Sequence, residues 1–365
     1  MEVPVPFQHS GVDPLLLEST GIIYYAQGVR MSRVIAVVLA VGMLLLLPLP
    51  PQAGAAKTWN VRVGASATNQ ADQALLFLPG QITVDEGDSV QWTLAASEHT
   101  LYFPAGQKNP DLIVPGKSKG QLLWNPAVFF ASPAKAYDGA GIASGGALLS
   151  DPHAPKSYTV TFTKAGTYKY LCMFHPGMEG TVVVQPAGSP YPMTQAQYDQ
   201  AGAAQAQTAL SKAAALRTAA KPAVAVTGGK RTYTLNLVGS VKDGATVYRF
   251  PVQTLAINRG DTVTWVMQDP TELHTVSFGV GKRYFDIATM VPQKQGPPTL
   301  LVTPDVVAPS GGSVHRGAGF YNSGFMMTEG PGVRSYSLTF TKAGTFEYTC
   351  AVHDEFGMKA AVVVR

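Results

Sequence analysis

The heptapeptide Thr161-Phe-Thr-Lys-Ala-Gly-Thr167 recurs without change as Thr339-Phe-Thr-Lys-Ala-Gly-Thr345. Each copy sits within an alternation of apolar and polar residues at the strand period, Tyr158-Thr-Val-Thr-Phe162 and Tyr336-Ser-Leu-Thr-Phe340. Each runs on into a second alternating segment, Tyr168-Lys-Tyr-Leu-Cys172 and Phe346-Glu-Tyr-Thr-Cys350. Upstream, Ile82-Thr-Val-Asp-Glu-Gly-Asp-Ser-Val-Gln-Trp92 matches Leu255-Ala-Ile-Asn-Arg-Gly-Asp-Thr-Val-Thr-Trp265. Gly-Asp between two strand-like runs signals a turn, because glycine tolerates positive φ. A valine-rich strand closes each unit, at 181–184 and 360–364. A period of about 178 residues is far too long for a solenoid. The chain therefore reads as two copies of one all-β domain.

Composition agrees with that reading. Of 365 residues, 46% are hydrophobic and only 14% charged, against about 25% charged in ordinary soluble domains, which excludes a disordered chain. The formal charge of +4 is not gathered into any basic run, so no nucleic-acid partner is expected. Two cysteines cannot staple a scaffold of this length.

The segment between the copies has a different character. Thr194-Gln-Ala-Gln197 has capping-box spacing, and Ala-rich sequence follows as far as Lys221-Pro222. This predicts one helix over 194–219, about 40 Å long, acting as a semi-rigid spacer. Leu210, Ala213, Ala214 and Leu216 are the residues that could lie against a domain face. The expected boundaries are 1–55 for an N-terminal extension plus signal peptide, 56–187 for the first domain, 188–228 for the helical linker and 229–365 for the second domain. In the first of these, Arg30-Met-Ser-Arg33 precedes an apolar run at 34–47, then Pro48, Pro50, Pro51 and Ala53-Gly-Ala55. That order describes a secretory signal peptide starting at Met31 and cleaved after Ala55. An apolar run this short and stopped by proline is a poor spanning helix. An exported, periplasmic or extracellular protein is expected, touching a membrane only if the leader is retained.

Two ligand-like arrays stand at the ends of equivalent strands. The first copy has Cys172-Met-Phe-His175-Pro-Gly-Met178, the second Cys350-Ala-Val-His353-Asp-Glu-Phe-Gly-Met358. Each copy adds a distant histidine, His99 or His274, soon after its Gly-Asp…Trp strand. A trigonal plane of two His and one Cys with a weak axial Met is the type 1, blue-copper electron-transfer site. Zinc favours a closed tetrahedral set without thioether. A Cys172–Cys350 disulfide is the ordinary alternative in an exported protein, but it leaves the repeated His and Met spacing unexplained.

These arrays resemble those of the cupredoxins, the blue-copper family of plastocyanin, pseudoazurin and amicyanin. The shorter first loop is similar to amicyanin's, the longer second loop to that of plastocyanin and pseudoazurin. The resemblance implies two Greek-key β-sandwiches. It also implies two type 1 coppers, one on His99, Cys172, His175 and Met178, the other on His274, Cys350, His353 and Met358. In that fold the loop histidines His175 and His353 lie near the surface as electron ports. An apolar rim (Met173, Phe174, Pro176) would surround the first, and a charged one (Asp354, Glu355, Phe356) the second. The chain departs from the family pattern at Thr100 and Thr275, where small blue-copper proteins often have Asn. It also carries long insertions over 108–154 and 282–332.

Two-domain cupredoxins include nitrite reductases and small laccases, which need further copper held by His-x-His pairs or by a His beside the blue-copper Cys. Neither motif occurs here. His153 and His315 are the spare histidines downstream of the leader, both read as surface residues. The expected function is an electron carrier between redox-protein donors and acceptors, not an enzyme. A copper-buffering protein is the main alternative, and a multicopper oxidase or nitrite reductase-like enzyme a weaker one.

Overall fold

A computed structural model describes residues 55–132, 136–279 and 287–365. The expected signal peptide lies outside these residues. No helix among the described residues is long and apolar enough to cross a membrane.

Both repeats form β-sandwiches, and strand patterning shows why. Thr58–Ser66 buries Trp59, Val61 and Val63 on one face, and Glu179–Gln185 buries Gly180, Val182 and Val184 by the same period of two. In the first repeat, Gln81–Asp85, Glu179–Gln185, Gly166–Leu171, His99–Phe103 and Ala143–Leu148 form the sheet behind the core. In the second, Thr254–Ile257, Lys359–Val364, Gly344–Thr349 and Ser277–Phe278 are the equivalents. The cores are packed alike. Trp92 meets Tyr170 edge-on at 5.1 Å and 74°, and Trp265 meets Tyr348 at 5.2 Å and 73°. The Gly-Asp turns do what the sequence suggests. Gly87 and Gly260 adopt φ of 93° and 88°. The following carboxylates accept backbone N–H groups at the start of each copy, Lys57 to Asp88 at 2.7 Å and Arg231 to Asp261 at 2.9 Å.

The front sheets of the two repeats are one sheet. Ala245–Val247 pairs antiparallel with Asp72–Leu78, placing Ala245 opposite Ala74 and Val247 opposite Asp72, and the result is one sheet of eleven strands. The insertions also meet. Ile113–Pro115 and Leu122–Trp124 from the first pair with Thr299–Val302 and Ala288–Val291 from the second, through Leu123 opposite Leu301. This four-stranded sheet has its own core of Trp124, Leu300, Val302 and Val306, which packs on Phe325 and Ala351.

The predicted helix runs over Gln195–Ala219 with both halves of the Thr194–Gln197 capping box formed. It is not a spacer. Tyr198, Gly202, Ala206, Ala209 and Ala213 recur at intervals of three or four and are buried against Asp72–Leu78 and Ala245–Val247. Of the residues expected to face a domain, only Ala213 is fully buried, while Leu210, Ala214 and Leu216 flank the contact. The stripe is built of small residues, which is why its hydrophobic signal is faint.

Candidate metal centres

Each centre is assembled from two elements. His99 begins the strand His99–Phe103, and His274 follows the strand Thr262–Gln268 by a short loop. Cys172 and Cys350 directly follow the strands Gly166–Leu171 and Gly344–Thr349. In the loops that follow, the Cys172 N–H donates to the Met178 carbonyl at 2.9 Å and the Cys350 N–H to the Met358 carbonyl at 3.0 Å. These bonds fold each Cys…Met segment back on itself. Met178 and Met358 are thereby held inside, both buried.

The structure brings His99, Cys172 and His175 together, and separately His274, Cys350 and His353. In the first group the Cys172 Sγ lies 3.8 Å from His99 Nδ1 and 3.3 Å from His175 Nδ1. In the second, Cys350 Sγ lies 3.8 Å from His274 Nδ1 and 3.5 Å from His353 Nδ1, and the two ring nitrogens are 3.1 Å apart. A trigonal ion with bonds of about 2.0–2.3 Å leaves its ligands roughly 3.7 Å from one another. Both donor sets therefore fit a trigonal His₂Cys copper site, and Met178 and Met358 are buried in the same loops. Both cysteines are free and belong to separate groups, so the disulfide alternative falls.

The surroundings favour thiolates. Burial alone would push each thiol up, but the neighbouring histidines more than offset it and hold Cys172 and Cys350 well below the usual thiol range. Each sulfur also accepts a backbone N–H, from Thr100 and from Thr275, both at 3.3 Å. The threonine hydroxyls take over a tie between the two ligand segments. Thr100 Oγ1 accepts from Met173 N–H at 2.6 Å, and Thr275 Oγ1 from Ala351 N–H at 2.7 Å.

The loop histidines are not surface ports. His175 and His353 are 3% and 4% exposed, because the two repeats face one another across them. Glu272 stands between. Its Oε1 lies 2.7 Å from His175 Nε2 and its Oε2 lies 3.5 Å from His353 Nε2. Burial works against the Glu272 charge, yet the two histidines hold its carboxyl well below the usual range. Burial would likewise lower both histidines, but Glu272 and the thiolates push each up to about 10. Tyr248 O–H donates to Glu272 Oε1 at 2.6 Å, and the ring stacks on His353 at 4.0 Å and 17°. Of the rims expected around the ports, Phe174 packs on Phe129 of the first insertion at 5.2 Å, whereas Pro176 and Glu355 remain exposed. An opening of about 190 Å³ is lined by Asn109, Cys172, Met173, Pro176 and Met178.

Of the spare histidines, His153 is exposed as expected, but His315 is not a surface residue. It is 3% exposed, enclosed by Phe278, Phe340 and Phe346 with ring centroids at 5.3, 5.0 and 4.4 Å, and serves packing. Sequence reasoning passed over Glu272 and Tyr248. The available signal was positional, since Glu272 precedes His274 by two residues where the first repeat has Ser97 before His99.

The family described as copper binding proteins, plastocyanin/azurin family, matches residues 133–185 and 235–365, and the chain belongs to that family. Solved structures similar to it include an oxidized amicyanin variant, at 21% identity over 40% of this chain and 94% of that one, with a TM-score of 0.22. Amicyanin from Paracoccus versutus is similar at 19% identity over 38% and 86%, with a TM-score of 0.21.

Proposed function

We propose that this protein is an exported electron carrier that uses two type 1 copper sites to pass electrons between extracytoplasmic redox proteins. The observation that carries the reading is the pair of buried His–Cys–His groups, each with its thiolate hydrogen-bonded by backbone and its ligand segments tied by a threonine hydroxyl. Copper bound there supplies a one-electron couple. The protein's part is to hold the donors in one arrangement for both oxidation states, so little has to move when charge changes. The leader at 31–55 supports export. With the loop histidines enclosed, the opening beside Met173, Pro176 and Met178 is where a partner approaches the first site.

Copper stoichiometry combined with a redox titration tests this. Two ions per chain, intense blue colour after air oxidation and two reversible one-electron steps are expected. A colourless cuprous protein that resists oxidation would instead mark a copper buffer. Steady turnover of oxygen or nitrite by the fully loaded protein alone would mark an enzyme.

A further inference from the structure

We propose that Glu272 joins the two metal centres into one redox unit, carrying electron exchange between them through the path His175–Glu272–His353. This rests on the carrier reading and adds an internal route to it. Each loop histidine turns Nδ1 toward its own cysteine sulfur, at 3.3 and 3.5 Å, and Nε2 toward the same carboxylate, at 2.7 and 3.5 Å. The three side chains are only 4–5% exposed, so those contacts are largely shielded from solvent. Two further donors fix the carboxylate, Tyr248 O–H on Oε1 at 2.6 Å and the Leu273 N–H on Oε2 at 3.3 Å. Tyr248 is itself held from the opposite repeat by Ser97 Oγ at 2.8 Å, the residue equivalent to Glu272. One repeat thus supplies the bridge and the other braces it.

The exchange balances without any further reagent. One electron leaves the reduced site and enters the oxidised one, so the first is oxidised and the second reduced by one equivalent. The step transfers an electron alone, with no proton gained or lost. Hydrogen-bonded contacts couple the rings more strongly than an empty gap would, and enclosure keeps the surroundings from having to reorganise.

The test needs sites that can be told apart. A Met178→Gln background alters the axial ligand of the first site and hence its spectrum and potential. One electron per molecule is delivered by a photoreduced flavin, and its redistribution between the two sites is followed by absorbance and rapid-freeze EPR. In that background, Glu272→Ala is expected to slow redistribution roughly tenfold or more, the scale on which residues supporting metal ligands act. Glu272→Gln keeps the shape and one acceptor, and it should slow exchange by less. Both effects are scored at two coppers per chain with the blue bands intact, a condition that a merely structural role would not separate from the rate. Redistribution as fast as the parent in either fully loaded variant would overturn the bridge while leaving the carrier reading standing. Loss of copper binding or of reversible redox steps in the unmutated protein would instead overturn the carrier reading itself.

Discussion

Thr100 and Thr275 each follow the first histidine of a ligand set, and their hydroxyls join segments far apart in sequence. Each accepts the N–H of the residue after the cysteine, Met173 or Ala351. Replacing Thr275 by Val leaves the buried Ala351 N–H unpaired, at a cost of about 1–3 kcal/mol. Chemical denaturation of the copper-free protein should show that loss, and an unchanged midpoint would deny the tie. At the same scale, Cys172→Ser and Cys350→Ser should each remove one copper and spare the other, read by metal analysis. Loss of both ions from either variant would make the two groups one site. The candidate ligand sets were legible because Cys, His and Met fall at the same relative positions in two repeats, and chance does not repeat itself so. Glu272 was legible only as a difference between the repeats. A glutamate two residues before a histidine has no motif, and its role exists only once the second repeat is laid against the first.

At the scale of elements, the repeated strands and the capped helix could be read from period and turn chemistry, but the helix's surroundings could not. Alanine and glycine contribute little hydrophobic contrast, so the stripe through Gly202 and Ala206 looks like a solvated spacer. Its packing makes a prediction of opposite sign to the spacer reading. In a free helix, Gly202→Ala should stabilise by about 1 kcal/mol. Here an added Cβ would meet the Leu78 backbone carbon at 2.9 Å and the Pro79 nitrogen at 3.1 Å, neither of which can swing aside. Thermal unfolding should therefore show a lower midpoint for Gly202→Ala, and a higher one would return the helix to solvent. The far end of the same helix is fixed by Arg217, which donates to both oxygens of the buried Asp72 at 2.7 and 3.0 Å. Burial opposes the Asp72 charge, but Arg217 and Asn69 outweigh it and lower its pKa. A depressed carboxylate contributes stability that is complete above its ordinary pKa of about 3.9 and is lost as pH falls through the folded value. The advantage of the native protein over Arg217→Met should accordingly hold at neutral pH, begin to fall below about pH 4 and vanish only below the lowered folded pKa, as urea midpoints across pH would reveal. An advantage that persisted unchanged into acid would mean that the pair is not what holds the helix end.

Taken whole, the molecule departs furthest from what its repeat suggests. Two copies of a sandwich joined by a linker would be expected to move and unfold separately, since interfaces between domains of one chain are usually modest. Here four independent features cross between the copies. The front sheets share the pairing of Ala245–Val247 with Asp72–Leu78. The insertions complete one four-stranded sheet through Leu123 and Leu301. The helix packs on strands of both copies, and Glu272 reaches from the second repeat to His175 of the first. Unfolding one copy would break all four and strand the apolar core of Trp124, Leu300 and Val306 in water. The two sandwiches should therefore unfold as one cooperative unit, with calorimetric and van't Hoff enthalpies equal. Metal binding gives a sharper form of the same expectation. In Cys172→Ser, copper held only by the second site should stabilise by about 2.7 kcal/mol at a hundredfold excess over its Kd. If the halves are coupled, that stabilisation must also appear in the first half, where hydrogen exchange at amides of Glu179–Gln185 can report it. Protection rising only in the second half on copper addition, or a thermogram with two resolved transitions, would return the molecule to two sandwiches on a string.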